Sequence, residues 1–288
     1  MFWIKTLSLI PLPVLYWFSD YVIYPLARYI VRYRLTLVRK NIDLSFPEKT
    51  PAEREEIINN FYHHFSDLLV EIVYGYRTSK EEMRQRVVFE NLEMLEELSR
   101  KTHGSIAYLG HMCNWEWIAE VGNQFNDPSM VVYCVYRHQK SERSNKAMAA
   151  IRNKRGGVCV EKNFLLRKLV QLRHDSHPFV VGLIADQKPT PRNAHIWTTF
   201  MNQDTAFLDG GEVLARKFDY GVVFAHITSP KRGHYRIRFE LITDNPNSMP
   251  QEAITLEYAR LLEENIRQQP HMWLWTHNRW KWGRTNQE

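Results

Sequence analysis

Cysteine is scarce in this 288-residue chain: only Cys113, Cys134 and Cys159 occur, and no two form a CxxC pair. That spacing excludes a disulfide framework and a thiolate zinc cluster, and it fits a reducing compartment. Other signatures are missing as well. No GxGxxG follows a strand-like run and no GxxxxGK[ST] occurs, so neither a dinucleotide fingerprint nor a P-loop is present. There is no GxSxG elbow and no HExxH, which removes elbow-type hydrolases and zincins. Internal repeats, low-complexity tracts and long linkers are also absent.

The chain is rich in aromatic and basic residues. Aromatics reach 13%, with 9 Trp, and the net charge is +6 with a pI near 9.1. Basic and aromatic together point to nucleic acid or to an anionic membrane surface. Nucleic acid is the weaker reading, because the basic residues are dispersed and no binding motif appears. The most apolar stretch, LSLIPLPVLYWFSDYVIYPLARYIV at residues 7 to 31, favours the membrane. It exceeds the ~20 residues a bilayer crossing needs. Pro11, Pro13, Asp20 and Pro25 interrupt it, so a kinked helix in the interface competes with a clean span. Trp3, Tyr16, Trp17, Tyr21 and Tyr24 suit the headgroup level. The basic run Arg28, Arg32, Arg34, Arg39 and Lys40 places the downstream chain on the cytoplasmic side. One preceding lysine and no small-residue cleavage site argue against a secretory signal.

The expected organisation is an N-terminal membrane-associated helix over 1–35 and an α/β domain over 36–288, with 36–80 as a helical lead-in. Thr50, Pro51 and Glu53 form a capping box with proline at the first helical position. Ile57, Phe61, Phe65, Leu68, Leu69, Ile72 and Tyr76 follow at helical spacing. His63 and His64 on this helix read as surface or boundary residues. From residue 87, β-rich runs (105–110, 130–137, VCVEK, 179–186, 222–229, 235–243) alternate with helical ones. Such alternation predicts an α/β fold, a mainly parallel central sheet covered by helices on both faces.

In sheets of this kind, sites form beyond the carboxyl ends of strands. Three polar residues stand there: His111 after SIAYLG, Arg137 at the end of MVVYCVYR, and Asp186 at the end of FVVGLIAD. His111 opens GHMCNWEW, with Glu116 five positions on. With 12 His and 32 acidic residues, such a spacing arises about once by chance, so its weight comes from context. The shared placement of the three strand ends supplies that context.

GHMCNWEW resembles the H-x4-D/E block of the glycerolipid and lysophospholipid acyltransferase superfamily. The ordered set RYRLTLVRKNIDLSFPEKTPAER, VYRHQKSERSN, ADQKPTPRN, TTFMNQDTAFLDGGEVLARKFDYGVVFAHI and WLWTHNRWK is similar to the lipid A biosynthesis acyltransferases of the lauroyl/myristoyl type. The likeness covers nearly the whole chain. It departs at Gly110, at Phe200–Met201–Asn202 and at Phe224–Ala225.

The resemblance implies transfer of a fatty acyl group from a thioester, acyl carrier protein or coenzyme A, to a hydroxyl of a lipid A precursor. It places the enzyme at the bacterial inner (cytoplasmic) membrane, with no metal or resident cofactor and no nucleic-acid partner. His111 is then the general base and Glu116 its orienting acid, with Asn114 capping the helix that carries Glu116. Arg137 either stabilises the oxyanion or binds a phosphate, and Asp186 orients a partner. The basic helix with Arg143, Lys146, Arg152, Lys154 and Arg155 is either a surface for an acidic carrier protein or anionic headgroups, or an ordinary solvated face. Other glycolipid, aminolipid or lysophospholipid acceptors remain open.

Overall fold

A computed structural model describes residues 6–138, 141–173 and 177–282. Helix α1 (Leu12–Phe18) runs into two π-helical turns at Ser19–Ile23 and Leu26–Ile30. Helices α2 (Leu35–Ser45) and α3 (Pro51–Gly75) follow. The capping box at the start of α3 is formed: Thr50 accepts from the Glu53 N–H at 3.3 Å, and Glu53 accepts from the Thr50 N–H at 2.7 Å. Pro51 brings no N–H to this first turn, and the box satisfies two of the remaining orphan donors of the 25-residue helix.

Helix α4 (Lys80–Arg86) leads to strand β1 (Val87–Glu90), helix α5 (Leu92–Lys101) and strand β2 (Ser105–Leu109). A 3₁₀ segment, Trp117–Asn123, precedes strand β3 (Val131–Tyr136), helix α6 (Glu142–Lys154) and strand β4 (Gly157–Glu161). Helix α7 (Leu165–Leu172) and strand β5 (Phe179–Ile184) come next. After the hairpin β6 (Ile196–Phe200) and β7 (Gln203–Phe207), helix α8 (Gly210–Phe218) leads into strands β8 (Gly221–Lys231) and β9 (His234–Thr243) and helix α9 (Ala253–Gln268).

Seven strands make one sheet in the order β1-β9-β8-β2-β5-β3-β4, and every pairing is parallel except β8 with β9. The sheet is mainly parallel, as the alternation predicted, with an antiparallel step toward one edge. All five residues of β2 are buried, the composition expected of a strand covered on both faces. Strands β2, β5 and β3 are neighbours, so the three strand ends singled out in the sequence lie side by side.

Several local expectations need correction. NWEWIAEVGNQF is a loop and a 3₁₀ segment, not an α-helix, and Asn114 does not cap it: its Nδ2 donates to Glu71 Oε2 at 2.8 Å. The hairpin β6–β7 carried no sequence signal. Its turn, Met201–Asn202, has φ of 51° and 60°, the twist-compatible turn that usually needs Gly or Asn. His64 is buried, not at the surface, whereas His63 lies at the boundary as expected, stacked on Tyr24 with ring centroids 3.5 Å apart.

No helix among the described residues is long and apolar enough to cross a membrane. The N-terminal segment instead packs one face on the body. Tyr16 donates to Glu71 and Ser19 to Asp67, each at 2.7 Å. Arg232, in the β8–β9 turn, donates to both oxygens of Asp20 at 2.9 and 2.7 Å and lies over the Tyr16 ring. Of the basic run, Arg28 is buried against Asn59 and Glu55, and Arg34 donates to the Thr276 carbonyl.

Candidate active site

His111 follows β2 by two residues, and Asp186 follows β5 by two. Because β2 and β5 pair in parallel register, with Leu109 opposite Ile184, the two side chains emerge at the same level. His111 Nδ1 donates to Asp186 Oδ1 at 2.5 Å, and the His111 backbone N–H donates to Oδ2 at 2.7 Å. Trp273 adds an indole N–H to Oδ2 at 2.8 Å. Burial disfavours ionising Asp186, but His111 and these donors outweigh it and hold the carboxyl down to about 2. Burial likewise disfavours charging His111, yet the adjacent carboxylate wins and the imidazole is raised above its usual value. With Nδ1 committed, Nε2 carries the lone pair of the neutral ring. It faces a cavity of about 360 Å³, where the Gln187 amide nitrogen stands 3.4 Å away.

The orienting contact expected of Glu116 is therefore made by Asp186. Glu116 lines the same cavity, but Arg152 claims it: Nε and Nη2 each donate at 2.8 Å, one to each carboxylate oxygen. The Trp115 indole N–H adds a contact to Glu116 at 3.2 Å. Arg137 reaches the cavity from the end of β3. The remaining wall is mostly apolar, with Trp115, Val135, Tyr136, Met148, Ala149 and Ile184.

Helix α6 is not a uniformly basic face. Arg152 turns inward to Glu116. Arg155, just past the last turn, is fully buried and bonds Glu120 and the carbonyls of Gly75 and Thr78. Arg143, Lys146 and Lys154 stay exposed.

A C-terminal element braces the His111 loop. Met112 forms a β-bridge with Trp273, the Cys113 N–H donates to the Met272 carbonyl at 2.9 Å, and the Leu274 N–H donates to the His111 carbonyl at 3.1 Å. WLWTHNRWK thus reaches the centre of the site, which its aromatic composition did not reveal.

The arrangement is a buried acid–imidazole pair opening on a cavity with two guanidinium groups and apolar walls. Such a pair can remove a proton from a hydroxyl and return it to a leaving group. Among the described residues, no cluster of three or more His, Cys, Asp or Glu could hold a metal ion.

Comparison with known proteins agrees. The family model described as bacterial lipid A biosynthesis acyltransferase matches residues 1–282. The lipid A biosynthesis palmitoleoyltransferase of Escherichia coli (strain K12) is 24% identical over 282 residues, covering 94% of this chain and 86% of that protein. The lipid A biosynthesis acyltransferase of Shigella flexneri matches with the same identity and coverage. With the sheet, the strand-end site and a match along its whole described length, the chain belongs to the bacterial lipid A biosynthesis acyltransferase family.

Proposed function

We propose that the protein transfers a fatty acyl group from an acyl thioester, carried by acyl carrier protein or coenzyme A, to a hydroxyl of a lipid A precursor. The observation that carries this reading is the His111–Asp186 pair with Nε2 facing the cavity. A hydroxyl is a poor nucleophile at neutral pH, so a positioned base contributes about 10²–10⁴-fold. His111 Nε2 takes the proton as the acceptor oxygen bonds to the thioester carbon. Asp186 stabilises the imidazolium. The tetrahedral oxyanion collapses, the carbon–sulfur bond breaks, and the imidazolium returns the proton to the departing thiolate. Arg137 and Arg152 stand where an oxyanion or a substrate phosphate would find a cation. Glu116 holds Arg152 in place. No resident cofactor enters this scheme.

The reading includes attachment to the inner membrane by the N-terminal segment lying in the interface. Its outward side carries Leu9, Val14, Trp17, Phe18, Tyr21 and Ile30, all exposed. Aromatic side chains of this kind suit the headgroup level, and both acceptor and product stay in the bilayer. The exposed residues Arg143 and Lys146, on the helix that lines the cavity through Asn145, Met148 and Ala149, suit an acidic carrier protein.

The test is acyl transfer from a labelled acyl carrier protein, and separately from acyl-coenzyme A, to a lipid A precursor in detergent, with His111→Ala alongside. Transfer by the wild type and loss in a folded His111→Ala support the reading. Transfer that survives in His111→Ala removes the base assignment. Transfer only to another lipid moves the acceptor.

A further inference from the structure

Asp186 receives a third hydrogen bond from a residue outside the cavity lining. Its Oδ1 faces His111 Nδ1, and its Oδ2 takes both the His111 backbone N–H and the Trp273 indole N–H. Trp273 is 2% exposed. Trp275 meets it edge-on at 4.8 Å and Phe200 at 6.0 Å, and its backbone is tied to Met112. An indole so enclosed cannot turn its N–H elsewhere. A carboxylate divides its negative charge among its donors, so a donor on Oδ2 weakens the pull that Oδ1 exerts on the imidazolium.

We infer that Trp273 is a positioning residue for the His111 base: its indole N–H fixes the Asp186 carboxylate against Nδ1 and limits how strongly that carboxylate stabilises protonated His111. This rests on the proposed role of His111.

Other charged and titratable groups face the pair. Glu116 and Arg152 lie across the cavity and neutralise each other. His277, Arg279 and Tyr258 face Asp186, and Lys188 faces His277. Burial pushes the His277 imidazole down to about 4, so it is neutral at pH 6 and above, and its Nε2 accepts from the Lys188 N–H. Burial lowers Arg279 to about 10, where it still carries its charge at pH 8. With His277 neutral and Arg279 charged, neither changes charge over the range in which the raised His111 imidazole loses its proton.

The sign follows. Without the indole donor, Asp186 holds imidazolium more tightly and the affinity of His111 for its proton rises. The base must be neutral to act, so the acid limb of the pH–rate profile moves to higher pH. Trp273→Phe should move it by about half a unit and lower kcat about ten-fold, with KM nearly unchanged because Trp273 does not line the cavity. Trp273→His restores a ring N–H donor and should recover part of both. A residue that only packs would lower kcat at every pH and leave the limb where it was.

The experiment pairs these profiles with titration of His111 by ¹⁵N NMR in the full chain in detergent. A limb and an NMR pKa that rise together in a folded Trp273→Phe support the inference; wild-type values in both overturn it. If Trp273→Phe does not fold, 5-fluorotryptophan labelling of a Trp115→Phe background, which removes the other indole beside His111, supplies a stronger N–H donor at Trp273 with its ring in place. The His111 pKa then falls if Trp273 shares the charge of Asp186, and an unchanged value overturns the inference. The NMR titration needs no substrate, so failure of the positioning role is distinguishable from failure of the acyl-transfer reading.

Discussion

At the scale of single residues, the site turns on which carboxylate holds the imidazole. His111, Arg137 and Asp186 were legible because each ends a β-rich run, and the parallel register of β2, β5 and β3 makes neighbours of them. The pairing was not legible. A His and an acid five residues apart suggest one turn of helix, but Cys113 takes φ of 51° and the chain after it is a loop, so the expected geometry fails. Glu116 instead meets Arg152, a contact that depends on how α6 crosses the cavity. Three outcomes follow. Raised above its ordinary value by Asp186, His111 must lose its proton before it can act, so activity climbs with pH through a midpoint above 6.5. In Asp186→Asn that midpoint falls and the plateau drops about 10²-fold or more, read in a pH–rate series. Glu116→Gln leaves Arg152 with an uncompensated charge beside the cavity. It should change KM and the salt dependence of transfer more than the position of the acid limb.

Secondary-structure elements divide by how local their causes are. Helix α3 was readable end to end, since its capping box and proline start are written in four consecutive residues. The β6–β7 hairpin was not. Its turn places Met201 at positive φ, and the surrounding packing compensates: Met201 is fully buried and its N–H donates to Glu263 at 2.7 Å. Helix α6 was misread for a related reason, because charge composition does not reveal which side faces in. Arg155 and Glu120 are both fully enclosed, with the guanidinium also bonded to backbone carbonyls at the end of α3. Removing one member of a buried pair strands the other. Arg155→Ala should cost about 3–5 kcal/mol in a denaturant titration. Arg143→Ala, on the exposed side, should stay within about 0.5 kcal/mol.

For the molecule as a whole, two properties can be measured without substrate. Burial lowers the imidazoles of His63, His64, His226, His271 and His277 below their ordinary value, His64 and His277 to about 4. The unfolded chain therefore binds more protons than the folded one as pH falls from about 6.5 toward 4, and stability declines over that interval. His111 works in the opposite direction, since its proton is held more firmly when folded, and the stability it contributes is lost above pH 6.5. Glu71 and Glu120, raised by burial, act with His111, but the five lowered imidazoles, two of them down to about 4, outweigh them, so Tm should fall from pH 7 to pH 4.5. The second property is adsorption. The outward apolar side of residues 7–33 should bind vesicles containing anionic lipid, and Trp17→Glu with Tyr21→Glu should reduce that binding at least ten-fold without lowering Tm. Asp20 is the residue that separates the two readings of this segment. In a spanning helix it would face hydrocarbon; here its carboxylate is paired with Arg232.

The bridge between Met112 and Trp273 sets an order of events in the cell. A ribosome that has released β2, β5 and β3 has released His111 and Asp186, but not the segment that fixes the His111 loop. N-terminal parts of a chain fold first during synthesis. On the proposed function, the apolar N-terminal segment would meet a bilayer while the site is incomplete, and reactivity would begin only once the segment carrying Trp273 has emerged and docked. A truncation that removes it should produce a protein that adsorbs to lipid and turns nothing over.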